Sequence, residues 1–200
     1  MSSRSELSSR HGVLTKNKDS WEPNIPYAYS LLISDSTENR AKALWLFGEI
    51  GVRYPLSIKD CIPTIVSFCR STDPVLRERA IHALGRIGGK AYHLIAPYWK
   101  ELLQYSVDEE AGVRLSFLWA SENIAAIKPD LYENYVGLFA DLLVDADKRV
   151  RMEAPKMFHI LGERRPEYVK PYVEVLRGIS ENDSNYVVRI HCLRAIQRAN

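Results

Sequence analysis

An arginine recurs along this chain at an almost constant interval. The spacing is 37 residues three times and 38 residues once: Arg40, Arg77, Arg114, Arg151 and Arg189. Proline keeps the same interval at Pro55, Pro129 and Pro166, and Tyr92 occupies the slot where one proline is missing. A period of this length is typical of stacked copies of one structural unit, each of which contacts only its neighbours. The chain is therefore predicted to be a repeat array.

The clearest copy of the unit lies between Asp73 and Gly88. Asp73 is suited to cap a helix, and Pro74 takes the first helical position, where a missing N–H has no consequence. Apolar residues then follow at helical spacing. Gly88 and Gly89 are predicted to end the helix.

The same pattern in all copies predicts an all-α protein without a β-sheet. We expect an α-solenoid of about five helical hairpins, each with a first (A) and a second (B) helix. The predicted A helices are 25–33, 57–69, 94–106, 131–144 and 168–179. The predicted B helices are 36–52, 73–88, 109–127, 148–162 and 185–199. The repeats are about 23–55, 56–91, 92–129, 130–166 and 167–200.

Residues 1–22 are rich in polar residues and contain few apolar ones. Such a segment buries too little surface to offset the entropy of ordering, so we expect a flexible lead-in, with order beginning near Pro23. Leu14 or Trp21 could still dock onto the first repeat.

Composition limits the kinds of binding partner and the cellular compartment to be expected for this chain. The net charge is only +2, which gives no general reason to expect nucleic acid or an anionic membrane. Cys61, Cys69 and Cys192 are odd in number and lie in apolar runs, as core cysteines of a reducing compartment do. No apolar run approaches the roughly 20 residues that span a bilayer, and the N-terminus has no hydrophobic signal segment. We expect a cytoplasmic protein.

The repeat resembles that of the HEAT-repeat family, in its HEAT-like or phycobilisome-lyase-type variety. The motif D…VRxxAxxALGxIG is nearly complete in 73–88, good in 145–162 and partial elsewhere. The resemblance covers about residues 23–200. It implies a structural ladder of aspartates and arginines along the stack: Arg40, Asp73, Arg77, Asp108, Arg114, Asp145, Arg151, Asp183 and Arg189. The alternative is that the five arginines together grip an acidic ligand.

Counting from each arginine sorts the B helices into columns. The fourth position (Leu44, Ile81, Leu118, Leu193) is predicted to pack between repeats. Pro155 interrupts that column, so the fourth B helix should bend or start late.

The second, fifth and ninth positions are expected to line the concave face, the surface to which B helices of this family point. Six Lys or Arg stand against two Glu in these columns, which predicts a basic strip. The candidate partner-binding residues are Trp45, Arg79, His82, Arg86, Trp119, Asn123, Lys156 and Arg194. Alternatively, the two tryptophans only cover the packing between repeats.

The sequence favours binding over catalysis. No nucleophile–base set and no HExxH-type ligand pair is suggested by spacing, and we expect no cofactor and no metal. The first hypothesis is a non-enzymatic scaffold or adaptor that binds a protein or peptide, with the arginines favouring an acidic segment. The second is a nucleic-acid-binding protein of the HEAT-like DNA alkylation repair type, although no Asp lies in the concave columns. The third is an accessory subunit of a lyase-type complex.

Overall fold

Each of the five helical hairpins packs against the next in chain order. The computed structural model describes residues 18–199, and within them there is no β-strand, as predicted. The α-helices are α1 (Ile25–Leu32), α2 (Thr37–Arg53), α3 (Ile62–Ser67), α4 (Pro74–Ile95), α5 (Trp99–Leu102), α6 (Ala111–Ala125), α7 (Val136–Leu142), α8 (Lys148–Arg164), α9 (Pro166–Val169), α10 (Val173–Asn182) and α11 (Tyr186–Ala199). The B helices are α2, α4, α6, α8 and α11, and they form one packed layer.

The A side of most hairpins is not the single continuous helix that the sequence predicts. It is assembled from short α-helices joined by 3-10 turns: Leu56–Cys61, Phe68–Arg70, Leu103–Val107, Pro129–Tyr135 and Lys170–Tyr172. Pro63 and Pro171 lie within these stretches and cannot donate an amide hydrogen bond. The backbone therefore tightens or restarts where an α-helical bond is missing.

The corner between consecutive hairpins is a single residue with the same conformation each time. Tyr54, Ala91, Lys128 and Arg165 all have φ between −131° and −143° and ψ between 59° and 66°. Three of them precede a proline, which disfavours the α conformation of the residue before it. Ala91 precedes Tyr92 and adopts the same corner, which explains why the proline period tolerates that gap.

The glycines after the best copy of the motif do not end the helix, contrary to the sequence prediction. The helix continues through Gly88 and Gly89, and its φ and ψ break only at Ala91. A Cβ on Gly88 would lie 2.9 Å from Ile124 Cγ1, and one on Gly89 would lie 2.9 Å from Asn123 Cβ. These glycines thus allow close approach of the next B helix.

Two further glycines bring the first three B helices together. A Cβ on Gly85 would lie 2.2 Å from Ala120 Cα, and one on Gly48 would lie 3.1 Å from Ala83 Cα. Each occupies the eighth position after the repeated arginine of its own B helix, Arg40 for Gly48 and Arg77 for Gly85. At Gly85 no side chain fits while the helices keep this separation, and at Gly48 a methyl group would be in tight contact with the next helix.

The inter-repeat column follows the prediction except at its last member. Leu44, Ile81 and Leu118 are completely buried, whereas Leu193 is 49% exposed because no described hairpin follows it. Pro155 is buried inside α8, which starts at Lys148 and runs unbroken to Arg164. The prediction of a late start for this helix is therefore wrong.

Packing begins before the predicted boundary at Pro23. Trp21 is 3% exposed within the core, Arg53 Nη2 donates to Asp19 Oδ1 at 2.5 Å, and Ser57 Oγ donates to Glu22 Oε1 at 2.5 Å. The remainder of the predicted lead-in, with Leu14, lies outside the described residues.

The three cysteines are buried and unpaired, as predicted. Within residues 18–199, every helix is too short or too polar to span a lipid bilayer.

Candidate functional site

Three column arginines join consecutive hairpins. Arg77 donates from Nε and Nη2 to the two carboxylate oxygens of Asp108, at 3.0 and 2.9 Å, and from Nη1 to the carbonyl of Ser71 at 3.0 Å. The same pattern ties Arg114 to Asp145 at 2.6 and 2.8 Å. Arg151 Nε donates to Asp183 at 3.1 Å. These guanidinium groups face neighbouring hairpins and hold them together.

The ladder is shorter than its sequence pattern implies. Asp73 is not part of a rung, because its carboxylate caps α4 by accepting from Val75 N at 2.9 Å. The ladder position of that hairpin is Ser71, which has no carboxylate to offer Arg40. Within residues 18–199, the side chain of Arg40 donates one hydrogen bond, from Nε to the Ser34 carbonyl at 2.5 Å. At the other end, Arg189 has no carboxylate partner among the described residues.

The predicted concave face, formed by the B helices, carries three open pockets that follow one another along the stack. Their volumes are about 630, 470 and 740 Å³ from the N-terminal to the C-terminal end. The first contains Trp45 and Arg79, the second contains His82, Trp119 and Asn123, and the third contains Lys156 and Arg194. Seven of the eight predicted residues therefore line these pockets. Arg86 lines none of the three and is paired with Glu49 at 2.8 Å.

The predicted basic strip is mostly neutralised by neighbouring carboxylates. Besides the Arg86 pair, the ion pairs are Lys42–Glu38 at 2.6 Å, Lys156–Glu153 at 2.5 Å and Arg198–Glu163 at 3.3 Å. Two cations of the strip, Arg79 and Arg194, have no ion-pair partner within residues 18–199. The free positive charge is thus confined to the two ends of the face.

Both tryptophans contact the core and also face a pocket. Trp45 and Trp119 are half-buried and pack against buried residues. The ring of Trp119 meets the ring of His82 edge to face, with centroids 5.8 Å apart. Burial, with Arg86 and Arg79 nearby, lowers the pKa of His82, so this imidazole is neutral at pH 7. The central pocket therefore presents uncharged aromatic surface.

Glu122 is the residue of this face that the sequence columns do not reveal. It lies at the eighth position after its arginine, where the first two repeats have Gly48 and Gly85 and the next has His159. Glycine in this column lets adjacent B helices touch, whereas a long side chain cannot be accommodated in such a contact. Glu122 lines both the second and the third pocket, and His159 lines the third. The change from glycine to residues with long polar side chains in one column is the sequence signal for their position.

Glu122 is largely uncharged at neutral pH. Burial and, to a smaller extent, the nearby Glu153 raise its pKa to about 8, a shift that Lys156 partly opposes. Its Oε1 atom is buried and accepts no hydrogen bond from the described residues. A protonated carboxyl can both donate and accept a hydrogen bond, so Glu122 is a polar, uncharged contact point between two pockets.

We expect the free energy of unfolding to fall as pH rises from 4.5, the ordinary pKa of a glutamate carboxyl, to about 8, the pKa of Glu122 in the folded protein. In this range the folded state keeps a proton on Glu122 that the unfolded state has released, so rising pH favours unfolding. Glu122→Gln should remove this decline and be more stable than the parent chain at pH 8. Urea denaturation at pH 5.5 and pH 8 measures both effects. Glu167→Gln, at an exposed carboxylate, should keep the parental slope, and an identical slope in the Glu122 variant would contradict the assignment.

Comparisons with known proteins agree with the fold. A family model described as "Sister chromatid cohesion protein PDS5 protein" matches residues 12–197. No curated protein sequence matches the chain. An engineered protein is 20% identical, with a TM-score of 0.72, covering 94% of this chain and 83% of its own.

Two designed armadillo repeat proteins are also similar in structure. One, solved in complex with the peptide (KR)4, is 18% identical, with a TM-score of 0.71, covering 96% of this chain and 86% of its own. The other, computationally designed for modular peptide recognition, is 17% identical, with a TM-score of 0.71, covering 99% and 95%. At these identities the likeness establishes the α-solenoid fold alone.

Proposed function

This chain belongs to the family described as sister chromatid cohesion protein PDS5, and from that premise we propose that it is a HEAT-repeat scaffold whose concave face binds an extended protein segment. The observation that carries the proposal is the row of three pockets along the B helices, with a tryptophan in each of the first two. The family description names sister chromatid cohesion, and we place the partner of this chain in that process as part of the proposal.

The spacing of the pockets suits a chain better than a compact molecule. Neighbouring hairpins are separated by about 10 Å, so Trp45 and Trp119, two hairpins apart, are separated by about 20 Å. An extended peptide rises about 3.3 Å per residue, and about six residues cover that distance. Side chains on one side of such a segment can enter successive pockets. The peptide-binding design of two structural neighbours supports the same use of this fold.

The distribution of charge specifies the segment further. Arg79 and Arg194, which have no ion-pair partner within the described chain, lie in the first and third pockets. The central pocket presents Trp119, neutral His82 and protonated Glu122. The proposed segment therefore has an apolar or aromatic centre, flanked on both sides by acidic residues.

Nucleic acid is the second candidate, because Trp45 and Trp119 could stack on bases. Affinity for nucleic acid depends mainly on cations that contact phosphates. Four of the six cations of the strip are held in ion pairs, which leaves little charge for that purpose. No observation favours an accessory role in a lyase-type complex.

A phage-displayed library of random dodecapeptides, selected on the full chain, tests the proposal. We expect peptides with an apolar centre and flanking acidic residues to be enriched. Trp119→Ala should raise the Kd of a selected peptide at least about 30-fold, the effect of losing about 2 kcal/mol at a binding hot spot. Fluorescence anisotropy with the labelled peptide measures this change. Tyr98→Ala, an aromatic truncation before α5, is the matched control and should leave the Kd unchanged.

Three results would overturn the proposal. One is failure to enrich any peptide, and another is equal affinity of the Trp119 variant and the control. The third is tight binding of a thymidine 20-mer whose affinity falls steeply with salt, which would support the nucleic-acid alternative. If Trp119→Ala unfolds by circular dichroism, Trp119→Phe keeps the packing and removes part of the pocket contact.

A further inference from the structure

The first rung of the ladder has an arginine but no anion. Arg40 is half-buried, and within residues 18–199 its side chain donates one hydrogen bond, from Nε to the Ser34 carbonyl. Its equivalents Arg77 and Arg114 use Nη1 for this carbonyl contact and hold an aspartate with Nε and Nη2. The guanidinium of Arg40 therefore keeps two nitrogens, Nη1 and Nη2, without an acceptor in the described part of the chain.

Ser71 stands at the ladder position next to this arginine. It lies 31 residues after Arg40, the interval of the Arg114–Asp145 rung. The repeat therefore places the hydroxyl of Ser71 beside the guanidinium of Arg40, where an internal rung has its carboxylate. A hydroxyl carries no charge, so it cannot replace that carboxylate in a charge-assisted hydrogen bond.

The loop that contains Ser71 otherwise matches a complete rung in its local hydrogen bonds. Ser71 Oγ accepts the amide of Asp73 at 3.1 Å. In the fourth hairpin, Asp145 Oδ1 accepts the amide of Asp147 at 2.8 Å. Asp73 and Asp147 each cap the helix that follows by accepting a backbone amide two residues later, at 2.9 and 2.7 Å. The loop of the fourth hairpin shows that an anion at the ladder position is compatible with a capping aspartate two residues after it.

We propose that Ser71 is a phosphorylation site whose phosphate completes the rung with Arg40. A protein kinase transfers the γ-phosphoryl group of ATP to Ser71 Oγ. The new O–P bond forms as the bond to the leaving ADP oxygen breaks, and the hydroxyl proton passes to a base of the kinase. Phosphoserine carries a charge of about −1.5 to −2 at pH 7 and offers three acceptor oxygens, which arginine binds with two parallel hydrogen bonds. Arg40 then binds in the mode of Arg114, with Nη1 on the carbonyl of its own loop.

The surroundings of Ser71 favour Arg40 as the partner of the phosphate. The neighbouring arginines, Arg70 and Arg77, are already held by carboxylates of the next hairpin. The side chain of Ser71 is half-buried and the next residue, Thr72, is exposed, so the loop lies at the surface where an enzyme can reach it. The completed rung joins the first hairpin to the second, as the internal rungs join their own hairpins.

Phosphoserine encoded genetically at position 71 of the full chain tests the rung. We expect the melting temperature to rise by about 2–4 °C over the parent chain, the usual response of a chain of this size to one additional strong contact. Ser71→Asp, which installs the ladder residue itself, should also raise it. In an Arg40→Gln background, phosphoserine should give no gain over serine. Thr72→Asp adds a charge to the exposed neighbour and is the matched control, which should give no gain. No rise with phosphoserine, or a rise that persists with Arg40→Gln, would overturn the proposal.

The modification itself is tested on the chain isolated from its own cells with phosphatase inhibitors present. Peptide mass spectrometry should find a phosphate on Ser71, and phosphatase treatment should lower the melting temperature of this material. Absence of phosphate at Ser71, or phosphate confined to Thr72, would contradict the inference. Inorganic phosphate added to the unmodified chain should not reproduce the gain. A rise with the free ion that depends on Arg40 would replace the modification site with a site for a free anion.

Discussion

Gly85→Val is expected to lower the free energy of unfolding by about 3 kcal/mol or more, the upper range for overpacked sites. The reason is the contact between α4 and α6, where a Cβ at this position would lie 2.2 Å from the Ala120 backbone. A flexible side chain could move aside, but a backbone atom within a helix cannot do so without displacing the hairpin. Valine is also stiff at χ1 in a helix, so no rotamer relieves the overlap. Urea denaturation followed by circular dichroism measures the change.

Gly178→Ala is the matched control, since Gly178 lies in α10 and a Cβ there would meet nothing within 4 Å. This substitution should stabilise the protein by about 0.5–1 kcal/mol, the ordinary advantage of alanine over glycine in a helix. Equal effects of the two substitutions would show that the B helices are not held together as closely as described.

The second large effect concerns the middle rung of the ladder. Arg114→Ala should lower the free energy of unfolding by about 2–3 kcal/mol, because it leaves the carboxylate of Asp145 covered and without its bidentate partner. The side chain of Asp145 is only 7% exposed, so water replaces the guanidinium poorly. Binding of a selected peptide at the concave face should remain intact once the protein is folded. Thermal melting and anisotropy measure the two properties separately.

An exposed ion pair provides the comparison for this rung. Arg177 pairs with Glu174 on α10, and both side chains are more than half exposed. Arg177→Ala should cost only about 0–1 kcal/mol, as is usual for surface pairs. A parental melting temperature for Arg114→Ala, together with lost peptide binding, would assign the column arginines to ligand recognition instead of packing.

The repeat period predicts the fold well because every stacked unit buries the same columns. Leu44, Ile81 and Leu118 come from different repeats, and a single count from the arginines identifies all three as buried. The same regularity misleads at the second hairpin. Asp73 and the ladder position at Ser71 are two residues apart, and Asp145-Ala-Asp147 has an aspartate at both equivalents. A capping aspartate and a ladder aspartate therefore look alike until their hydrogen bonds are known.

The electrostatics of the concave face are harder to predict from columns. Glu38 and Glu163 neutralise Lys42 and Arg198, yet neither lies in a column assigned to that face. Their side chains reach the partners from adjacent positions on the same or neighbouring helices. The place of Glu122 in the pockets is hard to predict for a related reason. Its column begins with two glycines, and glycines by themselves indicate only close packing of helices. The formation of an ion pair and the burial of a carboxyl depend on how two helices pack together. The residue pattern of one helix does not contain that information.

The short sequence separation between the two residues of each rung has a consequence for how the chain folds. Arg77 and Asp108 are only 31 residues apart, and the described hydrogen bond with the largest sequence separation, between Met152 and His191, spans 39. Since the entropy of closing a loop grows with the logarithm of its length, each hairpin added to the stack meets nearly the same entropic barrier as the one before. Chains with such local contacts fold quickly. The N-terminal hairpins can therefore fold while the ribosome is still synthesising the last ones. A partly completed stack is then an intermediate in the synthesis of each molecule.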